Sequence, residues 1–536
     1  MAYWHIIHIS TLEMRSLITS ILTILTLTGI HAQSSPGTPK LVVGLTIDQL
    51  RTDYIEAFSS LYGEKGFKRL WKEGKIYLNA EYSFSNVDRA SAMAAIYTGT
   101  TPSMNGIISY KWMDPSTLKQ VSCVEDPSFI GYYTGENSSP AQLLTSTIGD
   151  ELKLATQGRS LVYAIAPFRE AAVFAAGHNG NGAFWINDIT GKWGGTTYYG
   201  DFPSWVSQYN DSRSLDNRIT GMTWTPALPA GNYINIPADQ AQRSFSYKFE
   251  DAKRHMFKRL IASPLINDEV NLLVENFLDN STIGKDDITD LLSVTYNAGI
   301  DQDAPVTMLE VQDTYVRLDR SIARLLDSVD KKLGLQNVLF FVTSTGYADT
   351  ETADYKQYKI PGGEFHLNRC TALLNMYLMA TYGDGQYIEA YHGTQIYLNH
   401  KLIEQKQLNP VEIQNKAADF LIQFSGVNDV YSSYRLLLGA WTPDMDMRKN
   451  AYHRKRSGDL VIDVLPGWKI VEENNGGSKI VSHTYIPKPL VFMGYSVKPE
   501  IIHTPVTMDH IAPTVAYFMR IRAPNASKTT PLTCIK

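Results

Sequence analysis

A chain of 536 residues exceeds a single minimal domain, and its 44% hydrophobic and 19% charged residues describe an ordinary globular protein with an ample core. A formal net charge of -5 and the lack of any long Lys/Arg block argue against a dedicated nucleic-acid binder, which carries a basic face. The three cysteines, Cys123, Cys370 and Cys534, lack zinc-binding spacing, and their odd number leaves at least one thiol unpaired.

The N-terminus places Met14-Arg15 before an apolar run, SLITSILTILTLTG, that ends near Ala32, a small residue preceding Gln33. This pattern reads as a secretory signal peptide over residues 1–32, with Met14 as the expected initiator. An uncleaved anchor helix is the alternative, but the run is short for a membrane span. No cysteine follows it, so a lipoprotein anchor is not expected. The expectation is an exported chain, periplasmic or at the cell surface, that is not an integral membrane protein once the signal is removed.

Residues 40–47 form a near-continuous apolar run, the mark of a strand buried on both faces, and Asp48 ends it. Residues 66–74 predict a short amphipathic helix stopped by glycine, and residues 91–97 a helix with a small-residue face. A helix is expected over 140–154, a second core strand over 160–166 and a hairpin from 182–188 and 192–199. Then follow a helix over 266–278, a third core strand over 290–295, a long amphipathic helix over 308–333 and a fourth core strand over 337–343. Residues 350–455 lack strand–helix alternation and predict an inserted cap subdomain. The core then resumes with strands over 459–465 and 489–494 and a helix over 508–519. This order predicts an α/β fold: a doubly wound, mostly parallel sheet flanked by helices, its core made of residues 38–349 and 456–536. Chemistry in such folds sits outside the carboxyl ends of the strands, which draws attention to Asp48 and to residues 86–99.

Several segments, in this order, carry a resemblance. They are LVVGLTIDQLRTDYI (41–55), GFKRLWKEG (66–74), AIYTGTTPSMNGI (95–107), IGDELKLAT (148–156), AGHNGNGAFWIND (176–188), YVRLDRSIARLLDSVDKKLG (315–334), KIPGG (359–363), RKRSGDLVIDVLPGW (454–468) and DHIAPTV (509–515). Together they resemble the alkaline phosphatase superfamily, in particular its single-chain phosphatases and type I phosphodiesterase/nucleotide pyrophosphatase-like proteins. The resemblance implies two zinc ions held by Asp and His ligands, and a Thr or Ser that attacks phosphate. Two divalent ions clamp the attacking and leaving oxygens. Carboxylate and imidazole donors suit such ions, and a helix N-terminus favours the phosphate.

Carried over position by position, the resemblance leaves this sequence short of that set. Asp48 matches the first metal-binding Asp. Arg89 stands in the nucleophile slot, Ala90 and Ala92 replace two glycines, and Met93 replaces a His. After the third strand Asp301 and Asp303 remain without the His partner, and after the fourth Thr343-Ser344-Thr345-Gly346 replaces an adjacent Asp-His pair. The last ligand His is missing from residues 485–490, and Phe168 and Glu170 hold positions that clamp phosphate in similar enzymes. Arg169, one place off, is the basic side chain left there. The resemblance thus implies a degenerate member.

The expected site is therefore a remnant pocket of Asp48, Arg89, Arg169 and Thr345, with no catalytic residue, metal or other cofactor. Ser91 is a weak alternative nucleophile; lying two residues past the slot, it is better read as a helix cap. Asp48 either caps a helix or pairs with a cation. Arg89 beside two divalent ions would be strongly repelled, so it either pairs with Asp48 or swings into solvent. His178 reads as structural, whereas His392, His400, His483, His503, His510, Asp349 and Asp354 are spare groups, each alone a surface or capping residue. Three functions follow. The first is a pseudoenzyme acting as a binding or structural component of the cell envelope, with an unknown protein partner. The second is an active phosphomonoesterase or phosphodiesterase with a rearranged zinc site. The third is an anion-binding module using Arg89 and Arg169.

Overall fold

The computed structural model describes residues 37–536 except 237–243, 301–305, 348–361, 440–441, 473–476, 482–485 and 533–536. The signal-peptide reading, Cys534, Asp301, Asp303, Asp349, Asp354 and His483 lie outside the described residues. The chain divides into residues 1–39, of which 37–39 are described and have no regular structure, and residues 40–536, which carry the fold. Among the described residues no helix is long and apolar enough to cross a membrane.

In chain order the core elements are β1 (Leu41–Asp48), β2 (Lys75–Glu81), α1 (Arg89–Thr98), α2 (Ile148–Ala155), β3 (Val162–Ile165), α3 (Arg169–Ala176), β4 (Gly182–Ile186), β5 (Trp193–Thr196), α4 (Ile266–Asn280), β6 (Asp290–Asn297), α5 (Met308–Leu333), β7 (Val338–Ser344), β8 (Lys488–Gly494) and α6 (Ile511–Met519). One 11-stranded sheet runs β2-β8-β7-β1-β6-β3-β4-β5 through its middle. The pairings from β7 to β4 are parallel, and β8, β2 and β5 join antiparallel. The architecture is the expected doubly wound one, with antiparallel strands added on both sides.

β1 sits at the centre because it is buried along its whole length. Side chains alternate across a strand, so Val43, Leu45 and Ile47 pack with Leu273 and Val274 of α4 and Leu318, Ile322 and Leu325 of α5. Val42 faces the other way, into the cluster holding α1, α3 and α6. Gly44 is required on that face: a Cβ there would lie 2.3 Å from Cζ of Phe341 and 2.9 Å from the Tyr97 hydroxyl. The parallel register sets Asp48 beside Asn297 and Ile47 beside Ser344, so three strands end together.

α1 and α3 are rich in small residues. Ala90, Ala92, Ala94 and Ala95 of one and Ala171, Ala172, Ala175 and Ala176 of the other are all buried in one cluster. Alanine faces let helix backbones approach closely, and these two helices pack against each other with both first turns at the mouth of the sheet.

Two expectations are corrected. The helix expected over 140–154 begins only at Ile148, where Thr147 and Asp150 form a reciprocal capping box. The insertion also runs past the expected boundary at 455. Leu460–Val464, read as a core strand, pairs antiparallel with Val427–Ser432 and Gln395–Leu398 in a separate four-stranded sheet. Lys469–Glu472 then pairs with Glu364–His366. Leu460, Ile462 and Val464 belong to the insertion's own core, with Leu374, Leu378, Ile413 and Leu421. The chain returns to the main sheet at β8. The Arg456 guanidinium fixes the insertion to the core by donating to the backbone carbonyl of Gln142 at 2.8 Å and lying 4.8 Å from the Trp112 ring.

His178 is structural, as read. Its imidazole lies 2.9 Å from the Asp150 carboxylate and 3.0 Å from the Leu143 carbonyl oxygen, two acceptors that together suit a doubly protonated ring. Burial opposes the charge, but the bonds to Asp150 and Leu143 outweigh it and raise the His178 pKa above its ordinary value. A raised histidine pKa contributes stability that is complete below the unfolded value, about 6.5, and lost as pH rises through the folded one. The melting-temperature gap between wild type and His178→Gln is therefore expected to be widest near about pH 5.5 and to narrow towards about pH 9. Calorimetry across that range checks it.

Candidate functional site

Asp48 ends β1 with its carboxylate turned into the protein. Its Oδ1 accepts a hydrogen bond from the Thr345 hydroxyl at 2.5 Å, and its Oδ2 accepts one from Nη1 of Arg89 at 2.8 Å. Nε of Arg89 donates to Oε1 of Glu170 at 2.6 Å, and the guanidinium carbon lies 3.5 Å from the Phe168 ring centroid. The side chains of Asp48 and Glu170 are each 4% exposed and that of Arg89 is 29% exposed. A guanidinium thus joins two buried carboxylates under an aromatic face.

Local structure explains the convergence. Arg89 is the first residue of α1, Glu170 lies in the first turn of α3, and Phe168 precedes α3 as its N-cap residue. A carboxylate in a first turn suits the helix dipole; an arginine there does not, so Arg89 depends on its two acidic partners. Burial opposes the Arg89 charge, but Glu170 and Asp48 more than offset it and hold the guanidinium pKa above its ordinary value. Of the two sequence readings of Arg89, pairing with Asp48 is the one the geometry has. Glu170 was not part of that reading. Its signal was the paired change itself, an acid at a clamp position and a base at the nucleophile position, which reads as a charge exchange only when the two are considered together.

Asp88 is a second residue that sequence reasoning missed. It caps α1: Oδ1 accepts from the Ser91 backbone N–H at 2.8 Å, while the Asp88 N–H donates to the Ser91 hydroxyl at 3.0 Å. Its Oδ2 accepts from the Ser109 hydroxyl and the Tyr110 N–H, both at 2.7 Å. Ser91 is fully buried in this box and turned to the cap rather than to Arg89. The sequence D-x-x-S before a helical run was the available sign.

Arg169 does not join the cluster. Nη1 lies 3.5 Å from Glu136 and 3.4 Å from the Ser138 hydroxyl, and Nη2 lies 3.5 Å from the Ser122 hydroxyl. The remnant pocket is therefore Asp48, Arg89 and Thr345 with Glu170 added and Arg169 removed. Three of the spare histidines are engaged elsewhere: His392 with Gln120, His400 with Asp459 and His510 with the Thr530 carbonyl. The His503 carbonyl accepts from Asn79.

Zinc needs deprotonated carboxylates or neutral imidazoles as donors. Among the described residues, no group of three or more His, Cys, Asp or Glu side chains is placed to hold a metal ion. Among the described residues, the groups bonded to Asp48 and to its arginine partner are a hydroxyl, one more carboxylate and a guanidinium already bonded to both acids. A guanidinium has no lone pair to offer. The donor set of the described residues does not fit a pair of zinc ions.

The model of the family described as type I phosphodiesterase / nucleotide pyrophosphatase matches residues 42–486. The chain is 30% identical over 515 residues to alkaline phosphatase PafA of Elizabethkingia meningoseptica, spanning 92% of this chain and 94% of that protein. It is 30% identical over 508 residues to alkaline phosphatase PhoV of Synechococcus elongatus, spanning 91% of each. The crystal structure of wild-type PafA superposes with a TM-score of 0.83 at 29% identity, covering 94% of this chain and 100% of that one. The chain thus belongs to the type I phosphodiesterase / nucleotide pyrophosphatase family, as an alkaline-phosphatase-like protein of the PafA type.

Proposed function

We propose that this protein is an exported pseudoenzyme of its family, one that does not hydrolyse phosphate esters by the two-zinc route. It acts as a binding or structural component of the cell envelope, where it has a protein partner. One observation carries the reading: Arg89, which the resemblance sets at the position of the attacking hydroxyl, is bonded to both Asp48 and Glu170. A protonated guanidinium is no nucleophile, and beside divalent ions it would be repelled by several kcal/mol or more at short range. Export is supported by the apolar run after Arg15 that ends near Ala32.

The same geometry disfavours the anion-binding reading. Two carboxylates against one guanidinium leave this cluster with a net negative charge, which repels a phosphate ester, and Arg169 is turned towards Glu136. The active-enzyme reading relies on ligands rebuilt from groups other than those around Asp48. Zinc analysis of protein purified without chelator, with turnover of aryl phosphate mono- and diesters, tests the proposal. No stoichiometric zinc and hydrolysis at the buffer rate are expected. About two zinc ions per chain, with turnover abolished by Asp48→Ala, would overturn it. Co-purification with an envelope complex in mild detergent would identify the partner.

A further inference from the structure

The misfit between the zinc pair and the residues present has a specific form. Asp48 and Glu170 come from different elements, the end of β1 and the first turn of α3, and Arg89 comes from the start of a third, α1. Each acid sends one oxygen to the guanidinium, and the second oxygen of Asp48 is taken by the Thr345 hydroxyl. Both carboxylates are buried, so neither has bulk water to share its charge. Buried ions without a counter-ion are strongly unfavourable. The junction of strand and two helices therefore closes only around a positive charge.

We propose that Arg89 is the resident cation of this site. Its guanidinium supplies, from within the chain, the charge that the resemblance assigns to metal, and it excludes metal by occupying the place between the carboxylates. The positive charge has also moved. In the family pattern a basic group stands near residue 170 and a neutral hydroxyl at residue 89; here the acid is Glu170 and the base is Arg89. Thr345, at the position of a lost ligand, keeps Asp48 oriented towards Arg89 by donating to the other oxygen. When the guanidinium is removed, Asp48 and Glu170 face an empty place where a divalent cation can sit with carboxylate and hydroxyl oxygens around it. The inference rests on the proposed function only in taking the wild-type chain as metal-free.

The test is thermal unfolding of the full chain, wild type and Arg89→Met, with EDTA, with ZnCl2 or with MnCl2. The wild-type melting temperature is expected to stay within about 1 °C in all three, because the cation is covalent. Arg89→Met is expected to melt about 3–5 °C lower and to recover at least half of that loss with either ion. The triple variant Asp48→Asn/Arg89→Met/Glu170→Gln has no charge to balance, so it melts above Arg89→Met and gains nothing from either ion. An Arg89→Met chain that melts like wild type, or that neither ion stabilises, overturns the inference. So does a triple variant that responds to the ions as the single one does. Should Arg89→Met not accumulate folded, folding of the triple variant supports the inference and its failure to fold overturns it. Zinc with turnover in the wild type would instead sink the proposed function, so the two failures are told apart.

Discussion

Removing the Arg89 guanidinium is expected to cost about 3–5 kcal/mol of folding stability, because it takes away the cation bonded to two buried carboxylates. That lies in the upper tail of single-residue effects. Asp48→Asn should also destabilise, since Arg89 then keeps only Glu170 and Thr345 loses a charged acceptor. The double variant Asp48→Asn/Arg89→Met should lose less than the two single losses combined, by about 1–3 kcal/mol, the range for residues in one ion-pair network. Denaturant unfolding of the four proteins measures this difference. Strictly additive losses would mean that the 2.8 Å contact between Asp48 and Arg89 carries no direct coupling.

The second large effect is one of activity. Arg89→Thr returns a hydroxyl to the start of α1, yet it is expected to hydrolyse aryl phosphates no faster than wild type, even with added zinc. Nucleophile and metal ligands act as a unit, and the residues at and just past the end of β7, Ser344, Thr345 and Gly346, still offer no carboxylate or imidazole. The margin is wide, because enzymes exceed the uncatalysed rate by roughly a million-fold or more. A zinc-dependent rise above about tenfold in Arg89→Thr, lost again in Asp48→Ala, would mean that a single substitution separates this chain from catalysis.

The strands that build the site were legible because each is buried on both faces. Runs such as LVVGLTI and VLFFVT leave no polar face, which is the mark of a strand covered on both sides. The long helix α5 was equally plain, since Leu318, Ile322, Leu325 and Val329 recur at helical spacing and are buried. Leu460–Val464 was misplaced although its pattern was informative. LVIDV alternates, and its side chains alternate between buried and half-buried, which is the mark of an antiparallel strand in a smaller sheet. Segments flanking an insertion carry no local label of the sheet they join, because pairing is decided by partners far away in sequence.

The site was half legible for a similar reason. Asp48 and Arg89 could be set face to face because both belong to segments whose place in the fold the resemblance defines. Glu170 could not, since its contact with Arg89 depends on how closely two alanine-rich helices approach, a packing quantity that no single segment states. Arg169 went the other way: one residue along a helix turns a side chain by about 100°, and that turn carries it to Ser122 and Ser138.

The connection between β7 and β8 has a last consequence. The two strands are antiparallel neighbours, with Thr343 opposite Leu490, so the chain leaves the sheet and re-enters it through adjoining doors. Everything between them is, topologically, one very long hairpin tip. Such a tip can be lengthened, shortened or exchanged without rethreading a single strand of the main sheet. The scaffold therefore leaves this excursion free to change in length and content, provided that Thr345 at its start and the Arg456 tie to the core are kept.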